Sequence, residues 1–350
     1  MANEKLKFVC DYMEGAHPAI MNELLSTNMM QTSGYGLDEF SESARDKIRK
    51  ACGAPEAGVY FLVGGTQTNA TVIDALLRYY QGVLCAETGH IAVHEAGAIE
   101  FGGHKVLPLP HTYGKINAAQ ISAYMDTFLS DESHEHMVMP GMVYISQPTE
   151  YGTLYSRKEL TALNEACRRY HLPLYVDGAR LAYALASPDN DVTLKDLARL
   201  CDVFYIGGTK CGAFFGEAVV IPDPALIPHL FTIIKQHGAL FAKGRILGIQ
   251  FDALFTDDLY LHIGKSALDC AAAIKSALKE NGYQFFLETP TNQIFIILED
   301  EVLHRLEEQA EFSFWEKYDD SHTVIRIATS WATTKEHTDA LIELLKMNRV

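Results

Sequence analysis

The chain has 350 residues, of which 48% are hydrophobic and 21% charged, a composition that excludes disordered and fibrous classes and allows one large core with a smaller attached domain. Asp and Glu outnumber Lys and Arg by 45 to 29, which gives a formal net charge of −16. This balance argues against nucleic acid or an anionic membrane as the main partner.

Cysteine usage and the lack of long apolar runs predict a cytoplasmic protein. The seven cysteines have irregular spacing and no CxxC pair, which is typical of reduced, mostly buried thiols. The first residues, MANEKLKFVCDYMEG, are charged and lack the apolar segment of a signal peptide. No apolar run approaches the length of a transmembrane helix, so we expect no membrane partner.

Up to about residue 235, short β-rich segments alternate with longer amphipathic segments. This alternation predicts an α/β fold with a largely parallel sheet. The strand candidates are residues 58–63, 83–87, 142–147, 172–179, 203–209 and 218–222, and the helical patterns include residues 36–52, 64–80 and 156–171.

Beyond that point the pattern changes. Residues 246–279 form one long, largely helical run, which is followed by the stretch FFLETPTNQIFIILED, the strand candidate TVIRIAT and a final helix, TKEHTDALIELLKM. Helices with a few strands predict a smaller α+β domain packed on the large one. We therefore expect an arm over residues 1–16, a large domain over 17–240 and a small domain over 241–350.

The motif GGTQTN, residues 64–69, follows a strand and opens a helix. Its backbone N–H groups, the hydroxyl of Thr66 or Thr68 and the helix dipole could all point at one anion, which predicts a phosphate site. The motif is neither the dinucleotide fingerprint nor the P-loop. The alternative is a tight strand-to-helix turn with a threonine as N-cap.

The motif VDGAR, residues 176–180, places Asp177 and Arg180 at the end of an apolar strand. Ligands of open α/β sheets bind at such strand ends. An aspartate there could hold a protonated heterocyclic nitrogen, and the arginine could hold an anionic group. The alternative is a surface ion pair in a turn.

Lys210 lies between two apolar runs in VFYIGGTKCGAFFGEAVVI, residues 203–221. Burial among apolar residues lowers the pKa of an amine, and lysines in such places commonly form Schiff bases. The alternative is a lysine that caps a turn between two strands and keeps its amine in water.

The stretch HIAVHEAGA places His90 and His94 four residues apart, on one face of a helix. A metal site is not expected, because the HExxH order is missing and no third ligand stands at a suggestive spacing. A histidine that stacks on an aromatic ring or carries a proton is the preferred interpretation.

Three of these motifs together match one cofactor. An anion-binding turn, an aspartate at one strand end and a lysine at another are what pyridoxal 5′-phosphate needs for its phosphate, its pyridine nitrogen and its aldehyde. With these motifs, and with GYG at 34–36, HxxxHEAGA from His90 and VIRIATSW at 324–331, the sequence resembles the threonine aldolase and β-eliminating lyase group of fold type I pyridoxal phosphate enzymes. The motifs follow the family's order across nearly the whole chain.

The resemblance implies a fold and a set of cofactor contacts. The fold is a large α/β domain with a mostly parallel seven-stranded sheet and a smaller C-terminal α+β domain. Lys210 would carry the cofactor covalently, and Asp177 would keep its pyridine nitrogen protonated. The phosphate would be held by Gly65, Thr66 and Gln67 or their backbones.

The resemblance also implies the remaining roles. His90 would stack on the cofactor ring, and Arg326 would grip the substrate carboxylate. Arg180 would assist at the cofactor oxygen or at the same carboxylate. Near the N-terminus, Asp11 and His17 are candidates for substrate contacts.

The implied reaction is cleavage of a β-hydroxy-α-amino acid, such as threonine or allo-threonine, to glycine and an aldehyde. Where many family members carry a histidine, this chain has SQPTE, so that Glu150 is the candidate base for the β-hydroxyl proton, with a phosphate-bound water as the alternative. The same lysine, aspartate and phosphate turn would also allow β-elimination or transamination. A non-catalytic binding protein of the same fold is the remaining alternative.

Two further residues are implied to act in a neighbouring subunit. Lys243, in KQHGALFAKGR at 235–245, is the candidate contact to the neighbour's phosphate, and Tyr35 of GYG resembles a residue that enters the partner's site. They imply a homodimer or homotetramer with shared active sites. The stretch AEFSFWEKY around Trp315 is expected to pack between a helix and the small-domain sheet rather than to contact substrate.

Overall fold

A seven-stranded sheet and a four-stranded sheet contain most of the strands of the computed structural model, which describes residues 5–348. Residues 1–4 of the expected N-terminal arm and residues 349–350 lie outside this part. The strands are β1 Leu6–Lys7, β2 Gly58–Leu62, β3 Gln81–Ala86, β4 Lys105–Leu109, β5 Met139–Ser146, β6 Leu174–Asp177, β7 Val203–Gly207, β8 Glu217–Ile221, β9 Gln284–Leu287, β10 Gln293–Glu299, β11 Ala310–Glu311, β12 Ser313–Lys317 and β13 His322–Ala328.

Helices pack on both faces of the larger sheet and on one face of the smaller sheet. They are α1 Pro18–Thr27, α2 Glu39–Cys52, α3 Gly65–Leu76, α4 His90–Val93, α5 Ala98–Phe101, α6 Ala118–Ser130, α7 Arg157–Arg169, α8 Leu181–Ala186, α9 Leu194–Leu200, α10 Leu230–Gln236, α11 Arg245–Leu254, α12 Leu259–His262, α13 Lys265–Glu280, α14 Asp300–Glu307 and α15 Lys335–Met347. None of these helices has the length and apolar character of a membrane span.

The larger sheet has the strand order β2-β8-β7-β6-β5-β3-β4. Neighbours from β7 to β4 are parallel, whereas β8 runs antiparallel to both β7 and β2. Both faces are covered: Val176 and Ile206 pack in one core layer, and Tyr175 and Tyr205 pack in the other. Strands that are buried on both faces have continuous apolar runs, which is why the sequence pattern revealed them. The predicted α/β fold with a mostly parallel sheet is confirmed.

The smaller sheet has the order β12-β13-β10-β9 and is antiparallel throughout. Ile294 and Ile325 contribute to a core between one face and α13 and α15. Because side chains alternate along a strand, Phe295 and Arg326, which are directly paired, point to the opposite face. The predicted small α+β domain is confirmed, and its register turns Arg326 away from its own helices.

Some elements differ from the sequence-based expectations. The long, largely helical run predicted over 246–279 consists of three helices, α11, α12 and α13. The first break contains Asp257 and Asp258, both in the left-handed region with φ of 51° and 56°, which aspartate tolerates better than most residues. Strands β4 and β12 were not predicted, since each lies at the edge of its sheet and mixes polar with apolar residues.

The boundary between the two domains is not sharp in the packing. Phe251 and Tyr260, which follow residue 240, pack in the core of the larger sheet. At the other end of the chain, β1 pairs with β11. The division at residues 16 and 240 therefore stays a prediction.

Candidate active site

Two adjoining cavities open at the carboxyl ends of β6 and β7, where ligands of parallel sheets bind. We call the first, of about 200 Å³, the strand-end cavity, and Asp177 and Thr66 line it. We call the second, of about 310 Å³, the outer cavity, and Arg326 and Trp315 line it. The residues shared by both cavities are Tyr12, His90, Glu150, Arg180 and Lys210.

Most of the predicted site residues meet at these cavities. Those that line one or both are Gly65, Thr66, His90, Glu150, Asp177, Arg180, Lys210 and Arg326. Those that line neither are Asp11, Tyr35, Gln67 and Lys243. The roles assigned to all of them stay predictions, because position alone does not test a role.

A more spacious cavity, of about 1160 Å³, lies elsewhere, between residues 185–195 and α13. None of the predicted site residues lines it. Lys275 on its wall has its pKa lowered to about 8 by burial, but its amine already donates to the carbonyls of Thr289 and Thr291. Size alone does not make it the candidate active site, and the reactive groups lie at the strand ends.

Asp177 ends β6 and is buried. Its Oδ2 accepts hydrogen bonds from the Tyr144 hydroxyl at 2.6 Å and from Asn69 Nδ2 at 3.1 Å, and its Oδ1 accepts from the Tyr205 hydroxyl and the N–H of Ala179. Burial on its own would raise the pKa of Asp177, but nearby positive charge and these donors outweigh it and lower the pKa. The carboxylate is thus held ionised in a buried site.

Lys210 follows β7, one strand from Asp177 in the sheet. Its Nζ lies 5.6 Å from the centre of the Tyr12 ring and faces both cavities. Burial and the positive charge of Arg180 lower the pKa of Lys210, while Asp11 and Asp177 act in the opposite direction. A lowered pKa leaves more of the amine neutral, and the neutral amine is the form that attacks a carbonyl.

The GGTQTN turn opens α3 with Gly64 as its N-cap and without a capping side chain. The interpretation of a threonine N-cap is therefore wrong. Gln67 folds back, so that its Oε1 accepts from the N–H of Val63 at 3.2 Å, while Gly65 and Thr66 line the strand-end cavity. The first-turn N–H groups of this helix remain available to an anion.

His90 begins α4, and its Nδ1 lies 2.6 Å from Glu95 Oε1. The same Glu95 oxygen accepts from Asn69 Nδ2 at 2.7 Å, and Asn69 also reaches Asp177. A buried polar network thus joins the predicted ring-stacking histidine to the predicted partner of the pyridine nitrogen. His94 lies beside it with 5.7 Å between ring centres, and within residues 5–348 no group of three or more potential ligands could hold a metal ion.

Glu150 follows β5 and lines both cavities. Its Oε1 accepts from the Ser146 hydroxyl at 2.7 Å and from the N–H of His90 at 2.9 Å. Burial raises the pKa of Glu150, and the hydrogen bond from Ser146 offsets this only in part. A carboxyl with a raised pKa is suited to exchanging protons near neutral pH.

Arg180 and Asp11 form a buried bidentate pair, with Nε–Oδ2 and Nη2–Oδ1 distances of 2.6 and 3.0 Å. Asn292 Nδ2 also donates to Asp11, at 2.9 Å. The Asp11 carboxylate is therefore engaged by protein groups, and the predicted contact of Asp11 with substrate stays a prediction. His17 accepts from the N–H of Ala19 at the start of α1 and lines neither cavity.

Arg326 projects from β13 into the outer cavity. Its Nη atoms donate to Gln293 Oε1 at 3.1 Å and to the carbonyl of Val9 at 3.2 Å, but its buried Nε finds no hydrogen-bond partner among residues 5–348. Burial and the charge of Arg180 lower the pKa of Arg326 to about 10. An under-satisfied buried guanidinium next to a cavity is suited to bind a carboxylate.

Trp315 was expected only to pack. It does pack, at ring-centre distances of 5.0 Å from Tyr151 and 4.8 Å from Phe295, but it also forms a wall of the outer cavity beside Arg326. The pairing of β12 with β13 brings it there, and that pairing leaves no trace in the local pattern.

Other site residues were missed by sequence reasoning. They are Tyr12, Asn69, Glu95, Tyr144, Tyr205 and Glu217. A signal existed for some: Tyr175 stands two residues before Asp177, and alternation places the tyrosines of β6 and β7 on the face where that aspartate lies. Glu95 and Asn69 stand inside motifs that had been singled out for other residues.

Tyr35 and Lys243 lie together on the surface, away from both cavities. The N–H of Tyr35 donates to the carbonyl of Ala242 at 3.1 Å, and the Tyr35 ring lies 4.6 Å from Lys235 Nζ. A Cβ added to Gly244 would lie 2.4 Å from the backbone nitrogen of Gly36. The turn that contains Tyr35 and the turn that contains Lys243 are therefore in close contact. The two residues predicted to act in a neighbouring subunit thus form one exposed feature.

The arrangement of these residues fits the phosphate, the aldehyde and the pyridine nitrogen of pyridoxal 5′-phosphate. The first turn of α3 offers N–H donors, Lys210 offers an amine of lowered pKa, and Asp177 offers a carboxylate that is kept ionised. The tyrosine and asparagine side chains that donate to Asp177 carry no charge, so they stabilise its negative charge without neutralising it. A protonated pyridine nitrogen requires such a negatively charged partner.

Comparisons with known proteins agree with this geometry. A solved structure of Leishmania major threonine aldolase is 42% identical, with 97% of this chain and 98% of that chain covered and a TM-score of 0.94. A low specificity L-threonine aldolase from a Pseudomonas species is 29% identical over 312 residues, which are 87% of this chain and 88% of that protein. A mutant aspartate aminotransferase of Thermus thermophilus, 13% identical with 99% and 92% covered and a TM-score of 0.72, shares the fold alone.

The family model described as beta-eliminating lyase matches residues 8–308. That range contains the anion-binding turn, His90, Glu150, Asp177 and Lys210. The chain therefore belongs to the beta-eliminating lyase family.

Proposed function

We propose that this protein is a pyridoxal 5′-phosphate-dependent aldolase that cleaves a β-hydroxy-α-amino acid, threonine or allo-threonine, to glycine and an aldehyde. One observation carries the proposal: the Lys210 amine faces a cavity whose other walls hold an anion-binding helix start and an ionised, buried Asp177. The likeness to threonine aldolases of Leishmania and Pseudomonas supports the choice of reaction.

When bound, the cofactor supplies an electron sink for the charge left on the substrate's α-carbon. Lys210 would hold the cofactor covalently through its amine, whose pKa is lowered by burial. Asp177 holds the proton on the pyridine nitrogen, because four donors keep its carboxylate charged. His90, which is held in orientation by its hydrogen bond with Glu95, would stack on the cofactor ring.

Arg326 binds the substrate carboxylate. The guanidinium lines the outer cavity and not the strand-end cavity, and its buried Nε is a donor without a partner in the described part of the chain. A bidentate grip fixes which bond at the α-carbon is held in line for cleavage. Arg180, oriented by Asp11, assists at the cofactor oxygen or the same carboxylate.

Glu150 takes the proton from the substrate's β-hydroxyl as the bond between the α- and β-carbons breaks. It lines both cavities, so it can reach a substrate that extends from one into the other. Its raised pKa makes it a stronger base than an exposed glutamate. The hydrogen bonds from Ser146 and His90 fix its position.

The protein works in the cytoplasm as a homodimer or homotetramer with shared sites. Tyr35 and Lys243 are next to each other, exposed, and outside the chain's own cavities, which supports a role for both in a neighbouring subunit. Tyr12, which lines both cavities, and its neighbour Met13 are exposed apolar residues that an interface would cover.

The test is an absorbance spectrum with added pyridoxal 5′-phosphate, followed by assays for glycine and aldehyde with threonine, allo-threonine and phenylserine. We expect a coloured protein and equimolar glycine and aldehyde. Ammonia with a keto acid would instead indicate β-elimination, and transfer of the amine to a keto acid would indicate transamination. A protein that stays colourless would contradict the proposal altogether.

A further inference from the structure

Glu217 is a buried carboxyl at the strand ends to which the proposed function gives no role. It is the first residue of β8, which lies between β7 and β2, and it is aligned with Gly207 on one side and Leu62 on the other. Lys210 follows β7 by three residues, and the anion-binding turn directly follows β2. Across the sheet edge the order is therefore Asp177, the Lys210 turn, Glu217 and the anion-binding turn.

The side chain points into the strand-end cavity rather than away from it. Glu217 is 3% exposed and lines that cavity together with Thr66, Thr209 and Lys210. One carboxyl oxygen, Oε2, accepts from the N–H of Gly208 at 3.1 Å. This bond ties the group to the turn that carries the lysine.

The charge state of Glu217 follows from its surroundings. The pKa of Glu217 is raised to about 8, chiefly by burial and in part by the charge of Asp177, although a hydrogen bond from Thr209, the charge of Lys210 and the N–H of Gly208 act in the opposite direction. The other titratable neighbours are neutral near pH 7, because burial raises the pKa of each thiol or hydroxyl: they are Tyr175, Tyr205, Cys211 and Tyr260. The anion-binding turn itself, residues 63–67, adds no charged side chain.

An ionised carboxylate in this position would oppose the proposed cofactor. A phosphate held by the first turn of α3 would lie next to Glu217, and two like charges in a site of low dielectric repel strongly. A neutral carboxylic acid has the opposite effect, because it offers an O–H donor to an anion.

We infer that Glu217 binds the phosphate of the cofactor as a neutral acid, with its proton donated to a phosphate oxygen while Gly208 holds the other carboxyl oxygen. The inference rests on the proposed function, since it requires a phosphate in the strand-end cavity. It adds a residue that sequence patterns gave no reason to choose, because Glu217 reads as the first residue of a strand.

The inference predicts that binding is linked to a proton. The phosphate complex keeps the proton on Glu217, so the pKa of this group is higher in the complex than in the free protein. Below pH 8 the free protein already carries the proton, and affinity is constant. Above pH 8 a proton must be taken up on binding, and affinity falls about tenfold for each pH unit.

The probe is pyridoxine 5′-phosphate, which carries an alcohol in place of the aldehyde and forms no covalent link with Lys210. Its phosphate has a second pKa of about 6, so it stays a dianion from pH 7 to 9.5. The dissociation constant is measured by calorimetry at each pH in buffers of different ionisation enthalpy, which also gives the number of protons taken up. The variants are Glu217→Gln, an uncharged amide that can both donate and accept, and Glu56→Gln, a control at an exposed position.

In the unaltered protein and in Glu56→Gln, we expect the deprotonation of Glu217 to weaken the binding of pyridoxine 5′-phosphate about tenfold between pH 7 and pH 9. At pH 9, Glu217 should take up close to one proton when the probe binds. Lys210 titrates in both proteins, so the effect of Glu217 is the difference between the unaltered protein and Glu217→Gln. That variant should lose this part of the pH dependence. Unphosphorylated pyridoxine should bind both proteins with the same pH dependence.

If the dissociation constant of pyridoxine 5′-phosphate depended on pH equally in Glu217→Gln and the unaltered protein, the inference would be overturned. It would also be overturned if Glu217→Gln changed the pH dependence of pyridoxine binding as much, because Glu217 would then act on the ring and not on the phosphate. On the unaltered chain, proton uptake at pH 9 is compared between pyridoxine 5′-phosphate and pyridoxine, so a variant that fails to fold leaves the test intact, and equal uptake with both probes would refute the inference. A protein that binds the probe as described but cleaves no β-hydroxy amino acid would refute the proposed function alone. A protein that binds no phosphorylated probe would refute both.

Discussion

The two walls of the candidate active site are built on different principles. The large-domain wall consists of residues at strand ends, and its central charge is stabilised by the protein itself: Asp177 accepts four hydrogen bonds from protein groups. The small-domain wall consists of residues in the middle of antiparallel strands, and its central charge is not satisfied, because the buried Nε of Arg326 has no partner within residues 5–348. The first wall is therefore suited to hold a cofactor permanently, and the second is suited to bind a substrate that is exchanged in each turnover.

This difference predicts a division of effects. Changes on the large-domain wall should lower kcat or cofactor binding, because they act on the reacting atoms. Changes on the small-domain wall should act mainly on KM and on substrate choice, because they alter how the substrate is held. Glu150, which lines both cavities, should lie between these limits.

The largest effect is expected for Lys210→Ala. The variant should fold and bind the cofactor without a covalent link, since the anion-binding turn and Asp177 remain, and kcat should fall by about 10²–10⁴ or more. Absorbance of the bound cofactor and release of glycine from threonine measure the two properties separately. Lys50→Ala, at an exposed position on α2, is the control, and a Lys210 variant with full activity would contradict the site assignment.

Glu150→Gln comes next, and its signature is in the pH profile. A base works in its ionised form, and burial raises the pKa of Glu150 above its ordinary value of 4.5, so the acid limb of kcat/KM should lie above pH 4.5 in the unaltered enzyme. The variant should lose that limb and about 10²-fold in kcat. Glu87→Gln, an exposed glutamate just after β3, should leave the profile unchanged. An acid limb that persists in Glu150→Gln would assign the proton transfer to another group.

Arg326→Ala should sharpen the contrast between the walls. Loss of a charge-assisted bidentate grip worth about 2 kcal/mol should raise KM about 30-fold, with a smaller change in kcat. Steady-state kinetics with threonine test this, with Arg157→Ala as the control because the Arg157 side chain is half exposed and remote from both cavities. A variant that lost kcat at unchanged KM would place Arg326 among the chemical groups and break the division.

The sequence predicted the large-domain wall better than the other, for a physical reason. Parallel strands buried on both faces are recognisable as apolar runs, and the polar residue that follows each run must lie at the same sheet edge, which is how Asp177 and Lys210 were found. Glu217 escaped because β8 is antiparallel, so that its first residue, not its last, lies at that edge. Arg326 was assigned by family resemblance, and Trp315 depended on a pairing of edge strands that local patterns do not encode.

The smallest effect is expected for Trp315→Ala, and it tests whether the small-domain wall selects substrates. Removing the indole enlarges the outer cavity beside Arg326. The ratio of kcat/KM for phenylserine to kcat/KM for threonine should therefore rise about tenfold. A change of this size corresponds to the one or two kcal/mol that added apolar contact between substrate and pocket contributes, by order of magnitude about what one extra group is worth. Phe314→Ala is the matched control, because Phe314 is the neighbouring residue on the other face of β12 and is 65% exposed.

If both variants shifted the ratio equally, a general loosening of β12 would explain the result. If neither did, Trp315 would only pack, and substrate size would be limited by Tyr12 or His94 on the remaining walls of the cavity.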